Sequence, residues 1–405
     1  MLNVVVLNGG RGAASIIPTM LRTQGLNVTS IVNAYDDGKS TGEIRRFFNM
    51  LGPSDIRKVQ ELMLPENDRH HQSSLALFGH RYEIGADPEA ILSDMRRFVD
   101  GADQLAGITI ASAGIGSALR TFVREFVDGL AVIERAQGAR FEFGDCSLMN
   151  CLYAGAYLAC RRDMELTTKT LDRLFRLKGT VLPNSVENKW LMAVRENGEI
   201  LYSEAEIVEL RSNVLIDAVY LLDQPLDRAR FVALSLEEQR YYLSRHHAAA
   251  SASPGVKLAL EQADVIIYSA GTQHSSLYPT YMSRGIAETI AGNREALKVF
   301  VTNIGADYET PSYRASDYIK GAYKYLRLAE GRQHAMTELF SAVLINNGRR
   351  KADETYVDYD EENFEDVPVR RIVDDFESAD SPGKHDGGRV IDTILRLYEE
   401  TARRS

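Results

Sequence analysis

The sequence has little of what marks secreted, membrane or disulfide-bonded proteins. Among 405 residues there are three cysteines, Cys146, Cys151 and Cys160, which share one short apolar segment without metal-site spacing or a remote disulfide partner. We therefore expect buried thiols. No run approaches the ~20 apolar residues of a membrane span, and the N-terminus lacks the basic and cleavage segments of a signal peptide. These absences predict a cytoplasmic protein that binds no membrane.

The chain also has fewer basic than acidic residues. The chain has 47 lysine and arginine residues against 57 aspartate and glutamate residues, a net charge of −10. Because no overall basic field attracts nucleic acid, we expect no nucleic-acid partner, and a phosphorylated ligand needs a local site. A hydrophobic content of 44% with 26% charged residues is typical of a globular chain with a large core.

Strand-like and helical segments alternate along the chain. Residues 2–7 are almost continuously apolar, as in a parallel strand buried on both faces, and a helical segment follows at about 13–23. Further strands are predicted at VTSIVNAYDDG, ITIASAG, FVALS, ADVIIYSAGT and ALKVFVTNIG. The alternation predicts an α/β fold, a Rossmann-like, doubly wound, mostly parallel sheet with helices on both faces. Ligands of such folds bind at the carboxyl ends of the strands.

A glycine-rich loop, Asn-Gly-Gly-Arg-Gly at residues 8–12, follows the first strand. A strand, a glycine turn and a helix start bring backbone N–H groups and the positive end of a helix dipole to one point, which suits a phosphate. A tight turn that needs glycine only for its geometry has the same sequence, so both interpretations stay open.

The second strand leads into AYDDGKSTGEIRR, which places Asp36 and Asp37 at its end. Paired carboxylates at a strand end can hold Mg²⁺, whose other ligands are waters and substrate phosphates. Asp-Asp-Gly is also a common turn. Ser40 or Thr41 in the following turn is placed to cap the next helix.

Two later stretches add polar groups. GPSDIRKV contains Arg57, whose planar guanidinium can clamp a phosphate or pair with Asp55. SAGTQHSSLYPTY closes a buried strand with a dense set of neutral donors at the edge of the sheet. A loop that satisfies its own hydrogen bonds has the same composition, so its position after a strand is what favours a ligand site.

In this order the motifs resemble the 2-phospho-L-lactate transferase superfamily, which also contains gluconeogenesis-factor proteins that bind UDP-sugars. The resemblance covers the opening loop, an Asp-Asp-Gly-x-Ser-x-Gly-x-Leu-Arg loop at 36–45 and a Pro-x-Asp-Ile-Arg element at 53–57. It continues with SLMNCLYAGAYLA, which aligns Asn150 with the family's helix-opening asparagine, and with LKGTVLPNS and ADVIIYSAGTQHSSLYPTYMSRGI. It spans roughly residues 1–310.

The sequence departs from the family pattern where glycines are usual. Asn8, Lys39 and Met149 stand at such positions, and Ser-Ala-Gly at 269–271 replaces Gly-Pro-Gly. Lost glycines restrict φ and the approach of a phosphate to the backbone. They indicate a divergent branch with its own donor or acceptor.

The resemblance implies a phosphotransferase that moves a phospho-linked group from a nucleotide-activated donor to an acceptor hydroxyl, with Mg²⁺ and release of a nucleoside monophosphate. It implies catalytic roles for Asp36, Asp37 and Arg57. The two aspartates would also be the metal ligands, and His274 is an alternative general base. Nucleotide and phosphate contacts are expected from Gly9, Gly10, Arg11, Gly12, Lys39, Ser40, Asn150, Gly271, Thr272, Gln273, His274, Ser275 and Ser276. We thus expect a nucleotide or nucleotide-linked small molecule as ligand, bound by a homodimer.

Two other functions fit part of the sequence. A non-catalytic UDP-sugar or nucleotide-binding regulator of the gluconeogenesis-factor type needs the same cradle but no placed base or metal, and the presence of both Asp36 and Asp37 favours the enzyme. A nicotinamide-dependent oxidoreductase is weakened because the opening loop lacks a spaced G-x-G-x-x-G.

For domain organisation we predict a nucleotide-binding α/β domain at 1–310, with a helical insertion at about 60–130, and a helical and acidic extension at 311–405 packed on it. Residues 351–366 hold eight acidic side chains and one basic one, typical of a solvated linker or exposed face. GKHDGG, at 383–388, precedes the last helix and either simply leads into it or covers a site.

Overall fold

The computed structural model describes residues 1–10, 12–110, 112–328, 333–348 and 355–403. The strands are β1 (Leu2–Asn8), β2 (Leu26–Val32), β3 (Gln104–Leu105), β4 (Ile108–Thr109), β5 (Thr180–Pro183), β6 (Trp190–Arg195), β7 (Ile200–Leu201), β8 (Ile216–Leu222), β9 (Val265–Tyr268), β10 (Leu297–Val301), β11 (Ala342–Asn346) and β12 (Arg370–Asp374). The helices are α1 (Ile16–Arg22), α2 (Lys39–Phe48), α3 (Ser54–Leu62), α4 (His71–Gly79), α5 (Pro88–Val99), α6 (Ala113–Gln137), α7 (Leu148–Ala159), α8 (Met164–Leu174), α9 (Glu204–Glu209), α10 (Arg228–Val232), α11 (Leu236–His246), α12 (Pro254–Glu261), α13 (Tyr278–Tyr281), α14 (Ile286–Gly292), α15 (Ala315–Leu328), α16 (Met336–Leu339) and α17 (Gly387–Ala402). Gln273–Leu277 is a π-helical turn and Glu361–Phe364 a 3₁₀ turn.

A seven-stranded parallel sheet forms the centre of the fold, in the order β12-β11-β10-β9-β1-β2-β5. β1 is mostly apolar because it lies inside this sheet, and Val6 and Leu7 are completely buried. Helices surround the sheet. The predicted α/β, Rossmann-like, doubly wound class is confirmed.

The order of the strands locates the crevice where a ligand can bind. From β1 the chain first adds β2 and β5 on one side, and it later adds β9, β10, β11 and β12 on the other. The direction of winding therefore switches between β1 and β9. In open α/β sheets the loops at such a point diverge and leave a crevice at the carboxyl ends of the strands.

Two strand predictions were wrong. FVALS ends helix α10 instead, because Asp227 caps that helix and accepts a hydrogen bond from Arg230 N (3.3 Å). ITIASAG contributes only the two-residue β4, paired antiparallel with β3 outside the main sheet, and its last two residues, Ala113 and Gly114, start α6. Ser112 caps α6 by accepting from Ile115 N (3.4 Å). In both stretches a cap overrides a β-rich composition.

A small lobe, residues 190–246, lies beside the carboxyl edge of the sheet. It contains the antiparallel sheet β7-β6-β8 with α9, α10 and α11, and most of its own apolar cluster comes from these elements. Arg45 links it to the main sheet, donating to Tyr35 O (2.8 Å) and to Asn188 Oδ1 (2.9 Å), with its guanidinium 5.6 Å from the Trp190 ring centre. Arg45 thus fixes the segment after β2 against the lobe.

The chain beyond residue 310 supplies strands as well as helices, since β11 and β12 continue the sheet that begins with β1. Part of the acidic stretch is structural rather than solvated. Asp360 is buried and accepts hydrogen bonds from Ser316 N (3.0 Å) and Ser316 Oγ (2.5 Å) at the start of α15. Residues 351–354 of that stretch lie outside the described residues.

The absences in the sequence have structural counterparts. All three cysteines are free thiols, Cys146 and Cys151 being buried as predicted while Cys160 is half-buried. Across the described ranges, no helix combines the length and apolar character of a membrane span.

Candidate functional site

The glycine loop after β1 packs against the loop after β9. A Cβ on Gly9 would lie 2.7 Å from Ser276 Cβ, and one on Gly12 would lie 2.3 Å from Ala270 O. Glycine is therefore required because two backbones meet at the switch point, as the close approach of loop and ligand also demands. Arg11, predicted to contact phosphate, lies outside the described residues.

The start of α3 closes the other side of this loop. A Cβ on Gly10 would lie 2.3 Å from Asp55 Oδ1 and 2.8 Å from Lys58 Cδ, and Lys58 Nζ pairs with Asp55 Oδ1 at 2.8 Å. The attraction of Asp55 and Asp36 raises the pKa of Lys58 despite its burial. Lys58 is thus a charged residue at the glycine loop that the sequence analysis missed.

The two adjacent aspartates have different surroundings. Asp36 Oδ1 accepts from Gly38 N (2.9 Å), whereas Asp37 Oδ1 accepts from Ala205 N (3.0 Å) in the first turn of α9. Burial raises the pKa of Asp36 to about 6, and repulsion by Asp55 adds to the rise. Asp37 therefore holds the small lobe, and Asp36 faces a second carboxylate.

Glu204 brings a third carboxylate to this position. It opens α9, is buried, and accepts from Asp37 N at 3.4 Å. Burial raises the pKa of Glu204 well above its usual value, and Asp36 and Asp55 raise it further. We call Asp36, Asp55 and Glu204 the carboxylate cluster. Sequence reasoning missed Glu204 because SEAEI is typical of a capped helix start and does not show which way its side chains point.

Arg57 and Asn150 form hydrogen bonds inside the protein, next to the site. Arg57 is buried and donates to Phe78 O (2.7 Å) at the end of α4, and burial lowers its pKa. Asn150 Nδ2 donates to Ser40 Oγ (3.2 Å) and Ser54 Oγ (3.4 Å), so it joins the starts of α2 and α3. Ser40 and Asn150 thus contact each other, whereas Arg57 Nε and Asn150 Oδ1 are buried without a hydrogen-bond partner among the described residues.

In the loop after β9, only Gly271 and Thr272 among residues 269–276 remain partly exposed. The Asn303 side chain forms two hydrogen bonds to the backbone of Gly271: it accepts from the N–H (3.0 Å) and donates to the carbonyl (3.1 Å). Gln273 donates to the same carbonyl (2.8 Å), and Thr272 donates to Ser276 Oγ (2.9 Å). Gly271 and Thr272 are half-buried, whereas Gln273 and Ser276 are buried.

The next two residues of this loop bind an internal carboxylate. Glu309 accepts from His274 N (2.9 Å), Ser275 N (2.9 Å) and Ser275 Oγ (2.5 Å). Burial raises the pKa of Glu309 to about 8, with a contribution from Asp307. The backbone donors predicted to hold a phosphate here are therefore already occupied.

His274 is a poor general base in this position. Its side chain is buried, and its ring centre lies 4.9 Å from that of Tyr278 and 6.1 Å from that of Tyr313. Burial lowers the pKa of His274 to about 3, so the imidazole is neutral and weakly basic. The burial of the ring beside two tyrosines and its low pKa therefore disfavour His274 as a general base.

Lys39 turns away from the carboxylate cluster. It is exposed, its Nζ lies 3.2 Å from Asp145 Oδ2, and its φ of +45° is in the left-handed region that favours glycine. The glycine expected here from the resemblance thus has a conformational reason.

We expect Lys39→Gly to change the free energy of unfolding by no more than about 1 kcal/mol, because relief of backbone strain offsets the entropy of glycine and the loss of an exposed ion pair. Ligand affinity should stay within about twofold of the parent, since the ammonium lies outside the cluster. Chemical denaturation and titration calorimetry measure the two quantities. A tenfold loss of affinity in a stable variant would place Lys39 on the ligand.

Taken together, the switch point has a backbone cradle, one partly exposed ammonium and the carboxylate cluster. Among the described residues no three Asp, Glu, His or Cys side chains converge as metal ligands. Mg²⁺ usually takes one or two protein carboxylates and completes its shell with waters and phosphates. The mutual repulsion of Asp36 and Asp55 at the glycine loop fits such a cation.

Comparisons with known proteins identify a family and a shared fold. The family model described as 2-phospho-L-lactate transferase CofD matches residues 4–377. A putative gluconeogenesis factor of Thermotoga maritima is 22% identical over 403 residues, covering 98% of this chain and 99% of its own, and a gluconeogenesis factor of Listeria innocua is 22% identical over 402 residues, covering 97% and 95%. The crystal structure of a UPF0052 family protein from Bacillus halodurans, 20% identical, has a TM-score of 0.66 and covers 97% of this chain and 99% of its own, which shows a shared fold.

Proposed function

The chain belongs to the 2-phospho-L-lactate transferase CofD family, and from this premise we propose that it is a cytoplasmic phosphotransferase. It moves a phospho-linked group from a nucleotide-diphosphate-activated donor to an acceptor hydroxyl, with Mg²⁺, and releases a nucleoside monophosphate. We also propose that it works as a homodimer. The observation that carries the proposal is that a largely buried carboxylate cluster lies beside a glycine cradle at one switch point.

The cradle supports a diphosphate ligand. Gly9, Gly10 and Gly12 leave no room for side chains, so a ligand reaching this loop meets backbone N–H groups. Lys58 adds a positive charge beside Gly10, and Thr272 lies on the half-buried part of the facing loop. The diphosphate lies between the two loops in this proposal, and the base and ribose extend along the loop after β9.

Asp36 and Asp55 would hold Mg²⁺, which neutralises charge on the phosphoryl oxygens when bound. The donor set fits, because the half-buried Asp36 and the buried Asp55, with one neighbouring ammonium, leave an excess of negative charge at the glycine loop. Without a cation that excess repels a diphosphate.

In this proposal, Asp37 and Arg57 position other residues of the site and do not contact the reacting atoms. Asp37 ties the small lobe to the segment after β2 through Ala205 N (3.0 Å), which keeps Glu204 beside Asp36. Arg57 anchors α3 by its bond to Phe78 O, and α3 carries both Asp55 and Lys58.

A non-catalytic nucleotide-binding regulator is the second candidate. Full-length similarity to proteins named gluconeogenesis factor favours it. The internal use of Asp37 and the burial of His274 also favour it, because both reduce the groups available for chemistry. A regulator would use the same cradle without turnover.

A thermal-shift screen tests ligand class. We expect GDP, GTP, UDP, UDP-sugars or CDP derivatives to raise the melting temperature, and Mg²⁺ to increase the shift, because ligand that binds only the native state at 100 times its dissociation constant adds about 2.7 kcal/mol. Inorganic sulfate at matched ionic strength and NAD with Mg²⁺ are the controls. Stabilisation by NAD and by none of the other nucleotides would overturn the proposal.

A further inference from the structure

β12 forms one edge of the main sheet, and within the described chain β11 is its only strand neighbour. Asp374 O accepts from Asn347 N (2.9 Å), just beyond β11. Alternate residues of a parallel strand bond to the same neighbour, so Ile372 turns its backbone groups to β11 as Asp374 does. The N–H and C=O groups of Arg371 and Val373 therefore point outward.

This edge is regular and open. Four of its five residues are exposed and Ile372 is half-buried. None of the loop and turn hydrogen bonds of the described residues involves the backbone of Arg371 or Val373. Natural edges are usually blunted by proline, bulges, coverage or charged side chains, because an open edge pairs with another strand. β12 has neither proline nor bulge.

The charges along β12 and the next residue are complementary to a second copy of themselves. The sequence from 370 to 375 is Arg-Arg-Ile-Val-Asp-Asp, basic at the start and acidic at the end. Two such strands side by side in antiparallel orientation bring each basic end to the other's acidic end. In the same direction, like charges would meet and repel.

Backbone geometry and charge together favour one register. Outward-facing residues must oppose each other in hydrogen-bonded pairs, and one register that meets this condition places Arg371 of one copy opposite Val373 of the other. Ile372 then faces Ile372 across the two-fold axis. Arg370 lies opposite Asp374 on both sides of that axis, which gives two opposite-charge pairs.

We propose that β12 is the dimer interface of this protein, pairing antiparallel with β12 of a second copy so that the two seven-stranded sheets become continuous. The contact is isologous and therefore closes at two copies. This proposal identifies the surface of the proposed homodimer. It does not depend on the phosphotransferase activity, because the ligand crevice lies at β1 and β9, several strands away.

Charge exchange with sedimentation equilibrium tests the register. We expect the parent to be a dimer and Arg370→Asp or Asp374→Arg alone to weaken dimerisation by about tenfold or more, since each puts like charges opposite one another twice. An equimolar mixture of the two variants should dimerise again, because both cross-strand pairs become complementary in the mixed dimer. Arg22→Asp is the matched control, since Arg22, like Arg370, is an exposed arginine paired with one glutamate.

A backbone variant tests the strand pairing itself. Val373→Pro removes an outward N–H and leaves the bonds to β11 in place, so the chain should fold and be monomeric. Thermal melting and nucleotide-induced stabilisation, measured on the same samples, check that the fold and crevice persist. A parent that stays monomeric from about 1 to 100 µM overturns the proposal by mass action. So does a dimer that survives both Val373→Pro and Arg370→Asp, since it must use another surface.

Discussion

Asp36→Asn should reduce turnover by about 100-fold or more and remove the Mg²⁺-dependent part of nucleotide binding, the usual scale for a positioned acid–base or metal-holding group. Asparagine keeps the oxygen that accepts from Gly38 N, so the loop after β2 retains its shape. It removes the charge that Asp36 places beside Asp55. Binding measured without metal should persist or tighten slightly, because one carboxylate fewer repels the phosphates.

Asp37→Asn is the matched control for this variant. The asparagine amide oxygen still accepts from Ala205 N. The charge that the substitution removes lies toward α9 rather than toward the glycine loop. We expect turnover within about fivefold of the parent, since the positioning contact is kept. Titration calorimetry with and without Mg²⁺ and a steady-state assay compare the two. If both variants keep full Mg²⁺-dependent binding and activity, the aspartates form only a turn, and the regulator becomes the better account.

Gly12→Ala should lower nucleotide affinity by about 100-fold and reduce the free energy of unfolding by about 1–3 kcal/mol, the typical range for overpacking. The added Cβ would lie 2.3 Å from Ala270 O and 2.7 Å from Gly271 Cα. Both atoms are backbone, so the loops after β1 and β9 must separate, and the cradle between them is lost.

Gly114→Ala controls for the general effect of replacing a glycine. Gly114 lies in the first turn of α6, and a Cβ there meets nothing within 4 Å. We expect this variant to be as stable as the parent or slightly more so, with unchanged affinity. Denaturant titration and calorimetry measure both quantities. A Gly12→Ala protein with parental affinity would reduce the glycine loop to a tight turn.

Local pattern was enough to predict four central strands of the sheet, β1, β2, β9 and β10, and the edge of the sheet at which the crevice lies. β1 is apolar because both its faces are buried, and β9 and β10 have the same character, so their runs were readable without the structure. The loops after β1, β2 and β9 follow these strands directly. Parallel strands end at a common edge, which is why residues far apart in sequence were predicted to meet there.

What could not be predicted is which way side chains turn and which partners they find. Arg57 and Lys58 are neighbours on α3, yet Arg57 bonds inward to Phe78 O while Lys58 lies over Gly10. About 100° of helical rotation separates them, and only packing decides which one reaches the crevice. Glu204 and Glu309 come from distant segments whose approach no local pattern encodes.

The bond between Glu309 and the loop after β9 has a consequence for the thermodynamics of ligand binding. A chain of consecutive backbone donors normally stays mobile until an anion arrives, and ordering it then weakens the observed affinity. Here the acceptor is the Glu309 carboxyl group, which is covalently part of the chain, and the order it imposes on His274 and Ser275 is established during folding. The free and ligand-bound forms should therefore share one conformation of this loop, and association should be fast and accompanied by little loss of conformational entropy.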